Sequence, residues 1–113
     1  MTEETRPETY DAPMLDIGGD IGALIIYTDP DLDNAEIEIS PTAELTARTH
    51  NQVHPRRAPA GLTYSAVFPT VPAGDYTLWR DATTTETTVT IHGGHITEYH
   101  WRGPRPTPHH HHH

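Results

Sequence analysis

Short runs of β-forming residues alternate with clusters of glycine, proline and aspartate along most of the chain. No stretch shows the apolar period of 3.6 residues that an amphipathic helix requires. The segment 35–40, AEIEIS, alternates apolar and polar residues as a half-buried strand does, and the segment 21–27, IGALIIY, is apolar on both faces, as a central strand is. The pattern predicts an all-β fold, a single antiparallel β-sandwich of about seven to eight strands.

The two ends of the chain differ in composition from its middle. Residues 1–13 are polar and acidic and predict a flexible N-terminal tail. Residues 103–113 join a proline-rich stretch to a histidine run that is typical of an expression tag, and they predict a disordered tail. The sandwich is therefore expected over residues 14–102, which is enough chain for one small domain.

Two segments in the middle are less regular. Residues 44–49, ELTART, predict a weak strand. Residues 51–57, NQVHPRR, predict either an edge strand or a loop, because Pro55 cannot donate a hydrogen bond to a neighbouring strand. The acidic segment 29–34, DPDLDN, has the aspartate spacing of a calcium loop but lacks the glycine and glutamate that complete one, so a connecting turn is expected there.

The segment 88–101, TVTIHGGHITEYHW, contains a Gly-Gly pair of the kind that forms a two-residue β-hairpin loop. Such a loop would pair Ile91 with Ile96, facing the core, and His92 with His95 on the outer side. Two imidazoles are too few for a zinc site, which needs about four ligands. We expect no metal site, with His92 and His95 as the candidates if one exists.

The last strand conflicts with this hairpin. If Ile96 points inward, strict alternation places Tyr99 and Trp101 outside. A bulge after Thr97 would reverse the alternation and is the preferred interpretation.

Without a bulge, Trp79, Tyr99 and Trp101 would share an outer sheet face that is rich in threonine. Exposed aromatics of this kind are typical of protein interfaces and of carbohydrate-binding modules. The alternative is that Trp101 closes the core and a loop covers Trp79. The first candidate binding surface is this aromatic face, with His92 and His95 at its rim.

A second candidate surface lies in the segment 47–57, ARTHNQVHPRR. Its basic side chains could hold an anion or an acidic partner. They are Arg48, His50, His54, Arg56 and Arg57. The net charge is -9, and 12 of the 16 acidic residues lie within residues 1–44, so head-to-tail self-association is a further option.

The segment 67–79, VFPTVPAGDYTLW, followed by TTVTIHGGHITEYHW at 87–101, resembles the closing half of prealbumin-like sandwiches. These are the carboxypeptidase regulatory-like, Cna B-type and transthyretin-like modules. Their shared pattern is an aromatic, Pro-x-Gly-x-Tyr-x-Leu, a strand, a glycine-containing turn and a last strand. The resemblance implies a prealbumin-like or immunoglobulin-like sandwich and leaves the activity open.

The transthyretin-like fold also hosts 5-hydroxyisourate hydrolase, whose site uses histidine, arginine and a C-terminal Tyr-Arg-Gly-Ser. In this chain Trp101 and Pro104 stand where that ending has tyrosine and serine. Hydrolysis of this type, by His50, His54 and Arg48, is therefore kept only as an alternative function.

The chain lacks the residues that several catalytic mechanisms need. The chain has no cysteine, and all seven basic residues are arginine, which excludes thiolate and Schiff-base mechanisms. No nucleophile–base pair, phosphate-binding loop or cofactor motif is present. We therefore expect neither catalysis nor a cofactor.

The remaining function is binding. The sequence predicts a non-catalytic module whose partner is a protein or a second copy of the chain, with carbohydrate binding by the same aromatics as the alternative. The acidic balance argues against nucleic acid, because phosphates need a basic stripe. No apolar run approaches the roughly 20 residues that span a bilayer, and the polar N-terminus has no secretory signal. We expect a cytoplasmic protein without a membrane partner.

Overall fold

The structure, a computed structural model, describes residues 17–106, in which eight strands form two four-stranded sheets without an α-helix. The tail predicted over residues 1–13 lies outside this range, as do residues 107–113. No helix of the described residues has the length and apolarity needed to cross a bilayer. The strands are β1 (Ile21–Thr28), β2 (Glu36–Pro41), β3 (Thr49–Gln52), β4 (His54–Ala58), β5 (Gly61–Pro72), β6 (Gly74–Trp79), β7 (Thr85–Ile91) and β8 (Ile96–His100).

Sheet A has the strand order β4-β5-β1-β8, and sheet B has the order β3-β2-β6-β7. The all-β prediction is confirmed. The predicted antiparallel arrangement is wrong in one pair, because β1 and β8 run parallel from the Ala23–Ile96 pair onward. β1 lies at the centre of sheet A, so its backbone groups need partners along both edges. β5 supplies one edge and β8 supplies the other.

The predicted hairpin between β7 and β8 is wrong, since the two strands belong to different sheets. The turn at Gly93 and Gly94 closes with a hydrogen bond from the His95 N–H to the His92 carbonyl, 3.2 Å long. It carries the chain from the edge of sheet B to the edge of sheet A. The glycine pair therefore does form a tight turn, but the turn joins two layers.

The predicted inward side chain of Ile96, at the start of β8, is wrong. Ile96 is 45% exposed, whereas Trp101, just after the strand, is buried in the core and Tyr99 packs against it. The register with β1 is unbroken from Ile96 to His100, so the predicted bulge after Thr97 is absent. Burying two large aromatic rings removes more apolar surface from water than burying one isoleucine does.

The core lies between the sheets and takes alternate residues from the central strands. Ile37 and Ile39 of β2 face inward, as their alternation predicts. Phe68, Tyr76 and Leu78, from the segment that resembles prealbumin-like modules, are core residues as well. The Tyr76 hydroxyl donates a 2.8 Å hydrogen bond to the Pro72 carbonyl, which fixes the turn before β6.

Of the two alternatives predicted around Pro55, an edge strand or a loop, the structure has the edge strand. β3 ends sheet B and β4 ends sheet A, and the chain crosses between them at Val53, which is fully buried. The Val53 N–H donates to the Ala35 carbonyl, and its carbonyl accepts from Asn34, both at 2.9 Å. The weak strand predicted at 44–49 is instead two successive turns that lead into β3.

Residues 103–106, predicted as part of a disordered tail, lie against the two sheets. The Trp101 indole N–H donates to the Pro104 carbonyl at 2.9 Å, and Pro106 is buried. Arg105 donates to the carbonyl oxygens of Asp31 at 2.8 Å and Asp33 at 3.4 Å. The acidic segment forms a connecting 3-10 turn, as expected. Its backbone carbonyls accept the hydrogen bonds of Arg105.

Candidate binding surfaces

The predicted aromatic face does not exist as an exposed surface. Trp79 is buried, and its indole N–H donates a 2.9 Å hydrogen bond to the Ser40 hydroxyl. The guanidinium of Arg48 covers the ring at 3.6 Å from its centroid. Trp101 does not share this face, because it is buried in the core between the two sheets. The alternative interpretation, in which Trp101 closes the core and a loop covers Trp79, describes what is observed.

Arg48 belongs to the fold rather than to a docking surface. It donates to Glu38 Oε1 at 2.9 Å and to the carbonyls of Asp81 at 3.2 Å and Ala82 at 2.7 Å. These bonds tie the turns before β3 to the end of β6. The sequence does not reveal this role, because every partner lies at least ten residues away.

Tyr99 is engaged by a buried carboxylate. Its hydroxyl donates to Glu86 Oε2 at 2.8 Å, and the same carboxylate accepts from the Arg80 Nε at 2.7 Å and from the Arg102 N–H at 3.1 Å. Burial alone would raise the pKa of Glu86, but these hydrogen bonds outweigh it and lower that pKa. Burial and the bond to Glu86 raise the pKa of Tyr99. This cluster locks one end of β6, β7 and β8 together.

His92 and His95 are exposed and close together, with ring centroids 6.5 Å apart and ring planes at 89°. They bracket the turn between the two sheets rather than pairing across a hairpin. Within residues 17–106, no three histidine, aspartate or glutamate side chains are placed so that they could share a metal ion. The expectation of no metal site stays a prediction.

Within residues 17–106, the basic segment runs along the last strand of each sheet. β3 and β4 are consecutive in the chain and each is the last strand of its sheet. His50, His54 and Arg57 are exposed along this side, and Arg56 is half-buried. His50 lies 3.8 Å from Glu36 through its Nε2. Four of the five predicted basic residues therefore line this edge, which we call the basic edge. Arg48 is the one that does not belong to it.

The three residues proposed for hydrolase chemistry lie on β3, on β4 and in the segment before β3. His50 lies on a strand of sheet B, His54 on a strand of sheet A, and Arg48 is held by Glu38. A hydrolytic site needs its acid, base and substrate anchor within hydrogen-bond reach of one another.

The outer face of sheet A, the face directed away from the core, carries a cluster that the sequence did not suggest. Tyr27 stacks on His100 with centroids 5.1 Å apart, and its hydroxyl donates to Glu98 Oε2 at 3.0 Å. Burial and that hydrogen bond raise the pKa of Tyr27. Beside Tyr27 runs a groove of about 200 Å³, whose lining includes Ile25, Val67 and Arg56. The apolar run in β1 was the available signal, since a strand apolar on both faces needs cover on both.

Comparison of the chain with models of protein families, with curated proteins and with solved structures gave no match.

Proposed function

We propose that this protein is a non-catalytic binding module that engages an acidic protein segment along the basic edge. The observation that carries the proposal is the continuity of that edge, in which β3 and β4 follow each other and both end their sheets. The partner class follows from the side chains there, which are His50, His54, Arg56 and Arg57.

Backbone geometry supports recognition of an extended segment. A strand at the end of a sheet has unpaired N–H and C=O groups along its outer side, and an incoming strand can pair with them. All four residues of β3 are exposed. In β4, Pro55 removes one donor, so β3 is the better place for strand addition and β4 the better place for charge contacts.

Charge complementarity supports an acidic partner. Exposed charged pairs contribute little affinity each, but opposite potentials steer association and select the partner. The buried side chain of Val53 anchors the crossing between β3 and β4, so the edge is held in place when a partner docks. A second copy of this acidic chain satisfies the same chemistry.

We infer further that the fold is of the prealbumin-like class, a two-sheet sandwich. The support comes from the segment that carries the resemblance, in which Phe68, Tyr76 and Leu78 face the core and Gly74 follows Pro72 at the turn into β6. We do not propose carbohydrate binding, because the two tryptophans that it would require are buried.

The test is a titration of the tag-free protein with a fluorescent glutamate-rich peptide of about ten residues, followed by polarisation. A lysine-rich peptide of equal length is the control ligand. We expect binding of the acidic peptide only, weakened at least about tenfold in a His54→Glu, Arg57→Glu variant and unchanged in Arg102→Glu, which reverses an exposed charge elsewhere. Equal binding by the His54→Glu, Arg57→Glu variant would overturn the proposal, as would no binding by the parent protein.

Concentration-dependent self-association of the tag-free protein, followed by light scattering, separates the two partner classes. A dimer that is lost in the His54→Glu, Arg57→Glu variant would assign the basic edge to a second copy. A monomer that binds the acidic peptide would assign it to another protein.

A further inference from the structure

The groove on the outer face of sheet A has an apolar floor. Ile25, Ser65 and Val67 are 7%, 2% and 9% exposed, and none of them belongs to the cluster between the sheets. Their chain neighbours Ile26 and Ala66 face that cluster, so alternation directs the three side chains to the opposite side. Register places Ile25 directly beside Val67, and both line the groove. An apolar group that enters the groove therefore meets aliphatic side chains.

Arg56 borders this groove with a donor that is not used. β4 pairs with β5 so that Arg56 lies beside Thr63, whose hydroxyl donates to the Arg56 carbonyl at 3.3 Å. Within residues 17–106, the Arg56 Nε is buried and has no hydrogen-bond partner. A buried donor without a partner is costly, so an acceptor that reaches this atom is favoured.

The carboxylate on the same face is engaged elsewhere. Glu98 of β8 lies beside Ile25, and its Oε2 accepts the Tyr27 hydroxyl at 3.0 Å. β8 and β4 are the two opposite ends of sheet A. Tyr27 and Glu98 therefore satisfy each other on one side of the groove, and a ligand can supply the acceptor for Arg56 on the other.

We propose that this groove binds a small apolar monocarboxylate, with its carboxylate on Arg56 and its hydrocarbon chain over Ile25 and Val67. A guanidinium offers two parallel N–H groups, from Nε and one Nη, that match the two oxygens of a carboxylate. The groove of about 200 Å³ is smaller than the ~300 Å³ at which pockets for drug-sized ligands begin, so an acid of about six to eight carbon atoms fits it. The inference does not rest on the proposed function, because the ligand occupies the face of sheet A and not the outer side of β3 and β4.

NMR titration of the isotope-labelled, tag-free protein with sodium hexanoate tests the proposal. We expect shifts of the Arg56 Nε–H signal and of the Ile25 and Val67 methyl signals, with a dissociation constant of about a millimolar for so small a ligand. 1-Hexanol and hexylammonium have the same chain without the carboxylate and should bind at least about tenfold more weakly. Butanoate should also bind about tenfold more weakly, because each buried methylene strengthens binding about three- to fourfold.

Variants separate the two parts of the site. Arg56→Met removes the guanidinium and should weaken hexanoate binding at least about tenfold, whereas Arg102→Met, at an exposed guanidinium outside the groove, should leave it unchanged. If circular dichroism shows that Arg56→Met fails to fold, Arg56→Lys replaces it; this variant keeps the charge, loses the planar fork and should weaken binding at least about threefold. Val67→Thr puts a hydroxyl on the floor and should reduce the preference for hexanoate over butanoate.

Three outcomes would overturn the inference. An absence of shifts at Ile25 and Val67 with hexanoate at about ten times the expected dissociation constant would show that the groove takes no such ligand. Equal binding of 1-hexanol, or equal binding of hexanoate by a folded Arg56→Met variant, would remove the guanidinium from the site. Inorganic phosphate that shifts the same signals as strongly as hexanoate would show a general anion site in which the apolar floor plays no part.

Discussion

The guanidinium of Arg48 lies 3.6 Å from the centroid of the Trp79 ring and, through one nitrogen, 2.9 Å from Glu38 Oε1. A cation over an indole face and an ion pair thus share one side chain. Trp79 in turn donates its indole N–H to Ser40. The four residues close the outer face of sheet B, so the tryptophan stabilises the fold and offers no binding surface.

Replacing Arg48 by methionine should lower the free energy of unfolding by about 3 kcal/mol, because Glu38 is buried and loses its arginine while the indole loses its cover. Arg102→Met, at an exposed guanidinium, should cost less than about 0.5 kcal/mol. Urea denaturation followed by tryptophan fluorescence measures both values. Equal effects of the two substitutions would show that the Arg48 contacts contribute nothing.

Both tryptophans should be shielded from water in the folded protein, because Trp79 and Trp101 are buried. We expect emission shifted to shorter wavelength than that of the unfolded chain, and weak quenching by acrylamide. The protein in denaturant is the control, where quenching should rise severalfold. Strong quenching in the native state would show that the tryptophans are exposed and would contradict this prediction.

Glu86→Gln should destabilise the protein by about 2 kcal/mol at neutral pH, because the buried carboxylate accepts hydrogen bonds from Arg80, Tyr99 and the Arg102 backbone. The pKa of Glu86 is lowered by folding, so its contribution is complete above the ordinary glutamate pKa of about 4.3 and is lost as the pH falls through the lowered value. Denaturation curves of both proteins between neutral and acid pH should therefore converge as the pH falls. Glu44→Gln, at an exposed carboxylate, should follow the parent protein throughout.

The two glycines of the turn between the sheets should differ in their tolerance of alanine. A β-carbon at Gly93 would overlap the backbone oxygen of Gly19, so Gly93→Ala should cost about 2–3 kcal/mol. Gly94 has a φ of 75° with open space around it, so alanine there carries only the left-handed penalty of about 1 kcal/mol. Thermal unfolding of the pair measures the difference. A larger loss at Gly94 would contradict the contact between the two turns.

Local alternation predicted the strands well because it depends only on which side chains a strand buries. Ile37 and Ile39 of β2 and Tyr76 and Leu78 of β6 face the core, as their spacing indicates. Pro55 limited its segment to an edge strand or a loop, since a strand inside a sheet needs the N–H that proline lacks. These features need no knowledge of distant residues.

The partner of the last strand could not be predicted in this way. A glycine pair between two apolar runs favours a hairpin locally, but β1 needs a second neighbour, and β8 satisfies that need. The same limit explains why the burial of the aromatic residues could not be predicted. Arg48 contacts Trp79 and Glu86 contacts Tyr99, and neither pair is close in the sequence. The basic edge is visible in the sequence because its four residues lie within one short segment, 47–57.

The parallel pairing of β1 and β8 has a kinetic consequence. Tyr27 and Glu98, joined across that pair, are 71 residues apart in the sequence, so closing it requires nearly the whole ordered chain to be in place. Contacts of such long range slow folding into the range of milliseconds to seconds, as in other all-β domains. Until β8 docks, β1 presents an unpaired apolar edge. Docking of β8 should therefore be the late step of folding, and the species that precedes it should be the one most prone to aggregate.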